Sequence, residues 1–221
     1  MSAKSDKIWD KRKKERFPKP KPTIPQGKRI LIICEDSKTA LKYFIDMREG
    51  LGLSKELIEI RGKECGSAPT SVYDFAAAKL ELSIKDDNEY DLVFCVIDRD
   101  THNDFDPVLN KIKQQPKKFK EKIQAIVSIP CFEVWVLLHF VYSSAPFENC
   151  NAVCKKIKKP FPEYEKEEMR ILYPFLKDKT GEAIKNARKL VASMEVTDSK
   201  NPITYIHEVV EILQKEAKQN K

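Results

Sequence analysis

The hydrophobic pattern changes period several times along the chain. RILIIC (29–34) is a nearly unbroken apolar run, the pattern of a strand buried on both faces of a parallel sheet. LIEIR (57–61) alternates and predicts a second strand. YDLVFCVID (90–98) predicts the third and KIQAIVSIP (122–130) the fourth. Between them, residues 38–50 place Leu41, Phe44, Ile45 and Met47 at roughly helical spacing before GLG stops the pattern. APTSVYDFAAAKLELSIK (68–85) predicts a helix with Thr70 or Ser71 as its N-cap. FDPVLNKIKQQ (105–115) predicts a short helix and FEVWVLLHFVY (132–142) an apolar one. Strands alternating with helices imply parallel crossovers and a sheet covered on both faces.

From about residue 147 the pattern is helical. KEEMRILYPFLK (166–177), GEAIKNARKLVASME (181–195) and ITYIHEVVEILQKEAK (203–218) are amphipathic. The predicted organisation is an α/β core over 28–145 and a helical C-terminal part over 146–221 packed on it. Residues 1–27 are basic and proline-rich (FPKPKPTIPQG), which predicts a flexible, solvated arm.

Composition bounds the function. Of 221 residues, 41% are hydrophobic, sufficient for a core, and 34% are charged. The longest apolar run, VWVLLHFV (134–141), is far short of the roughly 20 residues a membrane span requires, so no membrane association is expected. No secretory signal pattern is visible, and the expected compartment is the reducing cytoplasm. The net charge of +7 is a modest bias toward a polyanionic partner. It is concentrated in KRKKERFPKPKP (11–22), KQQPKKFKEK (113–122) and CKKIKKP (154–160), each of which also reads simply as a solvated tail or helix face. Of six cysteines, Cys34 and Cys95 sit in apolar strand patterns and read as core residues. Cys150 and Cys154 are spaced C-x3-C, but no second ligand pair follows at zinc-site spacing.

The acidic residues carry the chemistry. In open α/β sheets, ligands bind at the carboxyl ends of the strands. Glu35 and Asp36 follow the first strand, Asp98 and Asp100 close the third (VIDRD), and Glu133 follows the fourth in SIPCFEVW. A lone acid after a strand is often only a helix cap, a role open to Asp36 or Ser37. Carboxylates delivered to one edge by three strands repel unless a cation lies between them. Oxygen-only ligation suits Mg²⁺ or Mn²⁺, the constellation of metal-assisted phosphoryl chemistry. No P-loop, dinucleotide glycine fingerprint or G-x-S-x-G elbow is present. His102 lies close enough in sequence to Asp100 to reach the site. His139 falls in an apolar helix and reads as packing, and His207 is assigned no role.

At CEDSKT, VIDRD and SIPCFEVWVLLHF the chain resembles the RloB family, whose members carry a Toprim-like domain, and NPITYIHEVVEIL (201–213) resembles that family's closing block. The resemblance covers about 28–213. It implies a Toprim-like parallel sheet and a metal-dependent nuclease. The family pattern carries over to Glu35, Asp98 and Asp100, with Glu133 and Lys38 in support. On this reading Asp98 and Asp100 hold one Mg²⁺ or Mn²⁺, Glu35 acts as general base or as ligand to a second cation, Glu133 completes or orients the metal shell, and Lys38 neutralises phosphate charge. It further implies a DNA or RNA substrate, a role in antiviral defence, and an ATPase partner. Two positions depart from the family pattern. Asp36 stands where the family has glycine, at a turn whose backbone aspartate tolerates comparatively well. Ile129 stands where the family has asparagine, which removes a polar group expected at the rim. The rival readings are a non-catalytic nucleic-acid-binding or assembly subunit, and a metal-dependent phosphatase or nucleotidyl transferase.

Overall fold

The apolar run at 30–34 forms a strand with every residue buried, and the rest of the sheet is laid out around it. The computed structural model describes residues 27–35, 38–62, 64, 66, 68–99, 104–166, 171–197 and 199–219, except the side chains of Lys38 and Glu195. The strands are β1 (Ile30–Cys34), β2 (Ile58–Arg61), β3 (Leu92–Asp98), β4 (Ile123–Ile129) and β5 (Ile203–Thr204). Their order in the sheet is β2-β1-β3-β4-β5. The β1–β2, β1–β3 and β3–β4 pairs are parallel, and β5 runs antiparallel to β4.

The helices are α1 (Lys38–Gly50), α2 (Pro69–Lys85), α3 (Phe105–Lys113), α4 (Lys117–Lys120), α5 (Glu133–Leu138), α6 (Cys150–Ile157), α7 (Tyr173–Leu176), α8 (Thr180–Thr197) and α9 (Ile206–Gln219). The chain leaves β1 toward β2 on one side, then crosses back over β1 to β3 on the other. Right-handed crossovers therefore put α1 on one face and α2 and α3 on the opposite face. Tyr43 of α1 meets Trp135 of α5 edge-on, so α1 and α5 share a face. The reversal of direction falls between β1 and β3, the switch point where such sheets open a crevice. The result is the mixed α/β architecture the alternating pattern predicts, consistent with a Toprim-like fold.

Several elements differ from the sequence expectation, each for a local reason. Helix α2 begins at Pro69, with Ala68 at the cap position. Thr70 lies inside the first turn, where the Asp104 carboxylate accepts from both its N–H (3.1 Å) and its Oγ1 (2.7 Å), so the cap comes from a distant residue. Helix α5 stops at Leu138, whose carbonyl accepts instead from Asn186 Nδ2 at 2.9 Å. Proline near the start of α7 delays that helix to Tyr173, since proline is tolerated only in a first turn. The C-terminal part is not purely helical. Ile203 and Thr204 pair with Ile129 and Ser128 as β5, and Thr204 Oγ1 then accepts from the Ile206 N–H at the start of α9. Ile129 is 6% exposed and belongs to the core, not to a polar rim. The basic arm lies outside the described residues apart from Gly27. No described helix is long and apolar enough to cross a membrane.

Candidate active site

Glu35 is the first residue beyond β1. Its N–H donates to the Val96 carbonyl at 3.2 Å, extending the β1–β3 ladder past Cys34. The rigid strand thus delivers the side chain to the switch point, where it is 7% exposed. Glu35 Oε2 accepts from the Asp98 N–H at 3.2 Å, which ties the end of β1 to the end of β3.

Asp98 is the last residue of β3, opposite Ser128 of β4. Its Oδ1 is buried and has no hydrogen-bond partner among the described residues. Burial first, and the Glu133 charge second, push its carboxyl well above the usual range. The Phe132 backbone N–H acts the other way, Glu35 adds to the rise, and Lys166 opposes it. Glu35 and Glu133 are therefore both within electrostatic reach of Asp98, and the carboxylates that follow three strands gather at one edge of the sheet.

Glu133 opens α5 and is 1% exposed. The Tyr164 hydroxyl donates to its Oε1 at 3.3 Å, and the Lys166 ammonium lies 3.5 Å from its Oε2. Burial lowers the pKa of Lys166, but the charges of Glu133, Cys154 and Asp98 outweigh it and hold the ammonium above its usual range. Burial, followed by the Glu133 charge, pushes the Tyr164 phenol far up. Thr39 Oγ1 of α1 donates to the Lys166 carbonyl at 3.2 Å and fixes this segment across the site.

Cys131 and Cys150 form a disulfide beside Glu133. Cys150 Sγ lies 3.0 Å from Glu133 Oε2 and 3.1 Å from Lys166 Nζ. A half-cystine sulfur carries no proton, so the contact with Glu133 is not a hydrogen bond while the disulfide is closed. Among the described residues, Cys131, Glu133 and Cys150 each bring a possible metal-ligand atom within 4.8 Å of the others. In the disulfide, however, the two sulfurs are not thiolates, and the carboxylates remain as the cation donors. Cys154, one turn along α6, has its thiol pushed up to about 11 by burial, with the Glu133 charge adding.

The structure brings together Glu35, Asp98 and Glu133 of the predicted set. Lys38 begins α1 just beyond Glu35, and only its backbone is described. Asp36, Asp100 and His102 lie outside the described residues. His139 is 2% exposed, its Nδ1 is 2.9 Å from the Trp135 carbonyl, and burial pulls its pKa down to about 4, so it packs as expected. Lys166, Tyr164 and the disulfide were not foreseen. Lys166 sits in EYEKEE, a run indistinguishable from a solvated face, and it reaches Glu133 only through the tertiary fold.

Some basic runs are partly neutralised. Lys118 and Lys122 pair with Glu81 and Glu89, each at 2.9 Å, and Lys158 pairs with Glu165. Lys117, Lys120, Lys155 and Lys159 are exposed.

Comparison with known proteins matches residues 30–213 to the family described as RloB-like protein. No curated protein and no solved structure matches the chain.

Proposed function

Because the chain belongs to the RloB-like family, we propose that it is a metal-dependent nuclease with a Toprim-type arrangement of carboxylates. The observation that carries this reading is the convergence of Glu35, Asp98 and Glu133 at the β1/β3 switch point, with Asp98 Oδ1 buried and unpartnered among the described residues. An acceptor left orphaned among like charges fits a cation: bound charge would satisfy the lone pairs and relieve the repulsion. Asp98, Asp100 and Glu133 would hold Mg²⁺ or Mn²⁺. When bound, the ion would supply Lewis-acid charge at a phosphate oxygen.

The remaining roles fall to the protein. Glu35, anchored by the β1–β3 ladder, takes the proton of the attacking water. Lys38 neutralises phosphate charge at the start of α1. Lys166 and Tyr164 hold the Glu133 carboxylate in place, one at each oxygen. Exposed lysines such as Lys117, Lys120, Lys155 and Lys159 contribute to attraction for the nucleic-acid backbone. In keeping with the family resemblance, the enzyme acts as an effector in antiviral defence, with an ATPase as partner.

The test is incubation of the purified protein with tRNA, single-stranded DNA and duplex DNA, each with Mg²⁺ or Mn²⁺. Cleavage of at least one substrate, abolished in Glu35→Gln with binding retained, supports the reading. Binding without cleavage under every condition supports the non-catalytic subunit instead. Hydrolysis confined to mononucleotides supports the phosphatase or nucleotidyl-transferase reading.

A further inference from the structure

We infer that Cys131 and Cys150 are a reversible thiol–disulfide pair, a redox modification site that changes the hydrogen-bond partners of Glu133. Cys131 lies in the turn after β4, two residues before Glu133, and Cys150 is the first residue of α6. The bond thus fastens the segment that presents a site carboxylate to a separate helix. The same sulfur that closes the bond lies 3.0 Å from Glu133 Oε2. While the bond is closed, that sulfur has no proton to give, and Glu133 relies on Tyr164 and Lys166. Once it opens, Cys150 gains a proton and becomes a donor to the same carboxylate oxygen.

The segments that carry the two sulfurs are each anchored without the bond. Phe132, Val134 and Trp135 on one side, and Val153 and Ile157 on the other, are all at most 1% exposed and keep both segments in the core. The chemistry is thiol–disulfide exchange with a low-molecular-weight thiol. A thiolate attacks the sulfur of Cys150, the more exposed residue of the two (7% against 1% for Cys131), forming a mixed disulfide and releasing the Cys131 thiolate. A second thiolate attacks the outer sulfur and releases Cys150. Two reductant thiols become one disulfide, and both cysteines take up protons. Oxidised low-molecular-weight disulfide runs the sequence backward.

The rival use of these atoms is a soft-metal site in the reduced state, since three ligand atoms lie within 4.8 Å. The Lys166 ammonium argues against it, because it already lies 3.1 Å from Cys150 Sγ, a sulfur that such a site needs as a ligand. The pairing of the cysteines stands independently of the proposed nuclease reading. Only its consequence for catalysis rests on that reading.

The experiment uses the full chain equilibrated with either oxidised glutathione or dithiothreitol, without metal. Differential alkylation read by mass spectrometry should show Cys131 and Cys150 protected and linked in the first condition, and both labelled in the second. Thermal melting should then couple redox state to residue 133. The Tm difference between the two conditions should change by about 3 °C or more in Glu133→Gln relative to wild type, the scale of roughly 1 kcal/mol in a chain of this size. Cys131→Ser and Cys150→Ser should each melt at one temperature in both conditions. The inference is overturned if both cysteines label in the oxidised folded protein. It is equally overturned if the Tm difference is the same in wild type and Glu133→Gln, if it persists in the serine variants, or if the reduced protein takes up one equivalent of Zn²⁺ in a Cys131-dependent manner. Absence of cleavage in both redox states would refute the nuclease reading and leave these outcomes unaffected.

Discussion

Replacing Lys166 with methionine removes the ammonium that faces Glu133 while keeping much of the side-chain volume. Glu133 is 1% exposed, so its charge cannot turn to solvent. Removing one partner of a fully buried ion pair costs about 3–5 kcal/mol, mostly because the other charge is stranded. Two features of the structure reduce that figure. The Lys166 side chain is 36% exposed, and the Tyr164 hydroxyl still donates to Glu133 Oε1 at 3.3 Å. The expected loss is therefore about 2 kcal/mol, which corresponds to a fall in Tm of about 4–8 °C for a chain of this length. The assay is urea and thermal denaturation at pH 7 in the presence of a chelator. Adding Glu133→Gln to Lys166→Met should recover at least half of the loss, because no orphaned charge remains, giving a coupling of about 1 kcal/mol or more in the double-mutant cycle. Lys166→Met within about 0.5 kcal/mol of wild type, or strictly additive changes in the cycle, would refute the reasoning.

Further predictions concern the neighbouring groups. Asp98→Asn should raise the metal-free Tm at neutral pH. Burial, then Glu133 and Glu35, raise the pKa of Asp98 in the folded state, so the folded protein holds this proton more tightly than the unfolded chain does. That stability is fully present below the ordinary carboxylate pKa of about 3.9 and is lost as pH rises through the raised value. Melts of wild type and Asp98→Asn from acid to neutral pH should diverge in that direction, and parallel curves would contradict it. Glu35→Gln should lose cleavage by about a hundredfold or more, the scale of a lost general base. Asp36→Gly should stay within about tenfold, since glycine at a cap costs only a few tenths of a kcal/mol. The reverse order in side-by-side assays would mean that the two acids have been assigned each other's roles. Asp104→Ala should cost about 1–2 kcal/mol by urea denaturation, because it removes the carboxylate that caps α2 through Thr70.

The parallel core was legible because its strands are buried on both faces, and such strands announce themselves as apolar runs. β1, β3 and β4 lie within one or two residues of the ranges their hydrophobicity marks. The carboxylates were legible for the same reason, since each follows a buried run and three strands deliver them to one edge. β5 was not legible. Its two residues pair with β4 across the whole C-terminal part, and ITYIHEVV carries a helical period that begins before the helix does. The cap of α2 was misread because local pattern offers Thr70, whereas the acceptor that serves the helix is Asp104, 34 residues away. Lys166 and the Cys131–Cys150 bond are also tertiary facts. A lysine among glutamates and a cysteine after a proline carry no signal of the carboxylate beside which the fold places them both.

The central claim is that Asp98 and Glu133 belong to one cation site, with Glu35 beside it as the base. Titration calorimetry of the metal-free protein with Mn²⁺ tests it most directly. Wild type should show saturable binding that Asp98→Asn and Glu133→Gln each weaken by about tenfold or more, a loss of roughly 1.4 kcal/mol. Asp104→Ala, which removes the cap of α2 and no proposed ligand, should leave the affinity unchanged. Equal Mn²⁺ affinity in wild type, Asp98→Asn and Glu133→Gln would contradict the account.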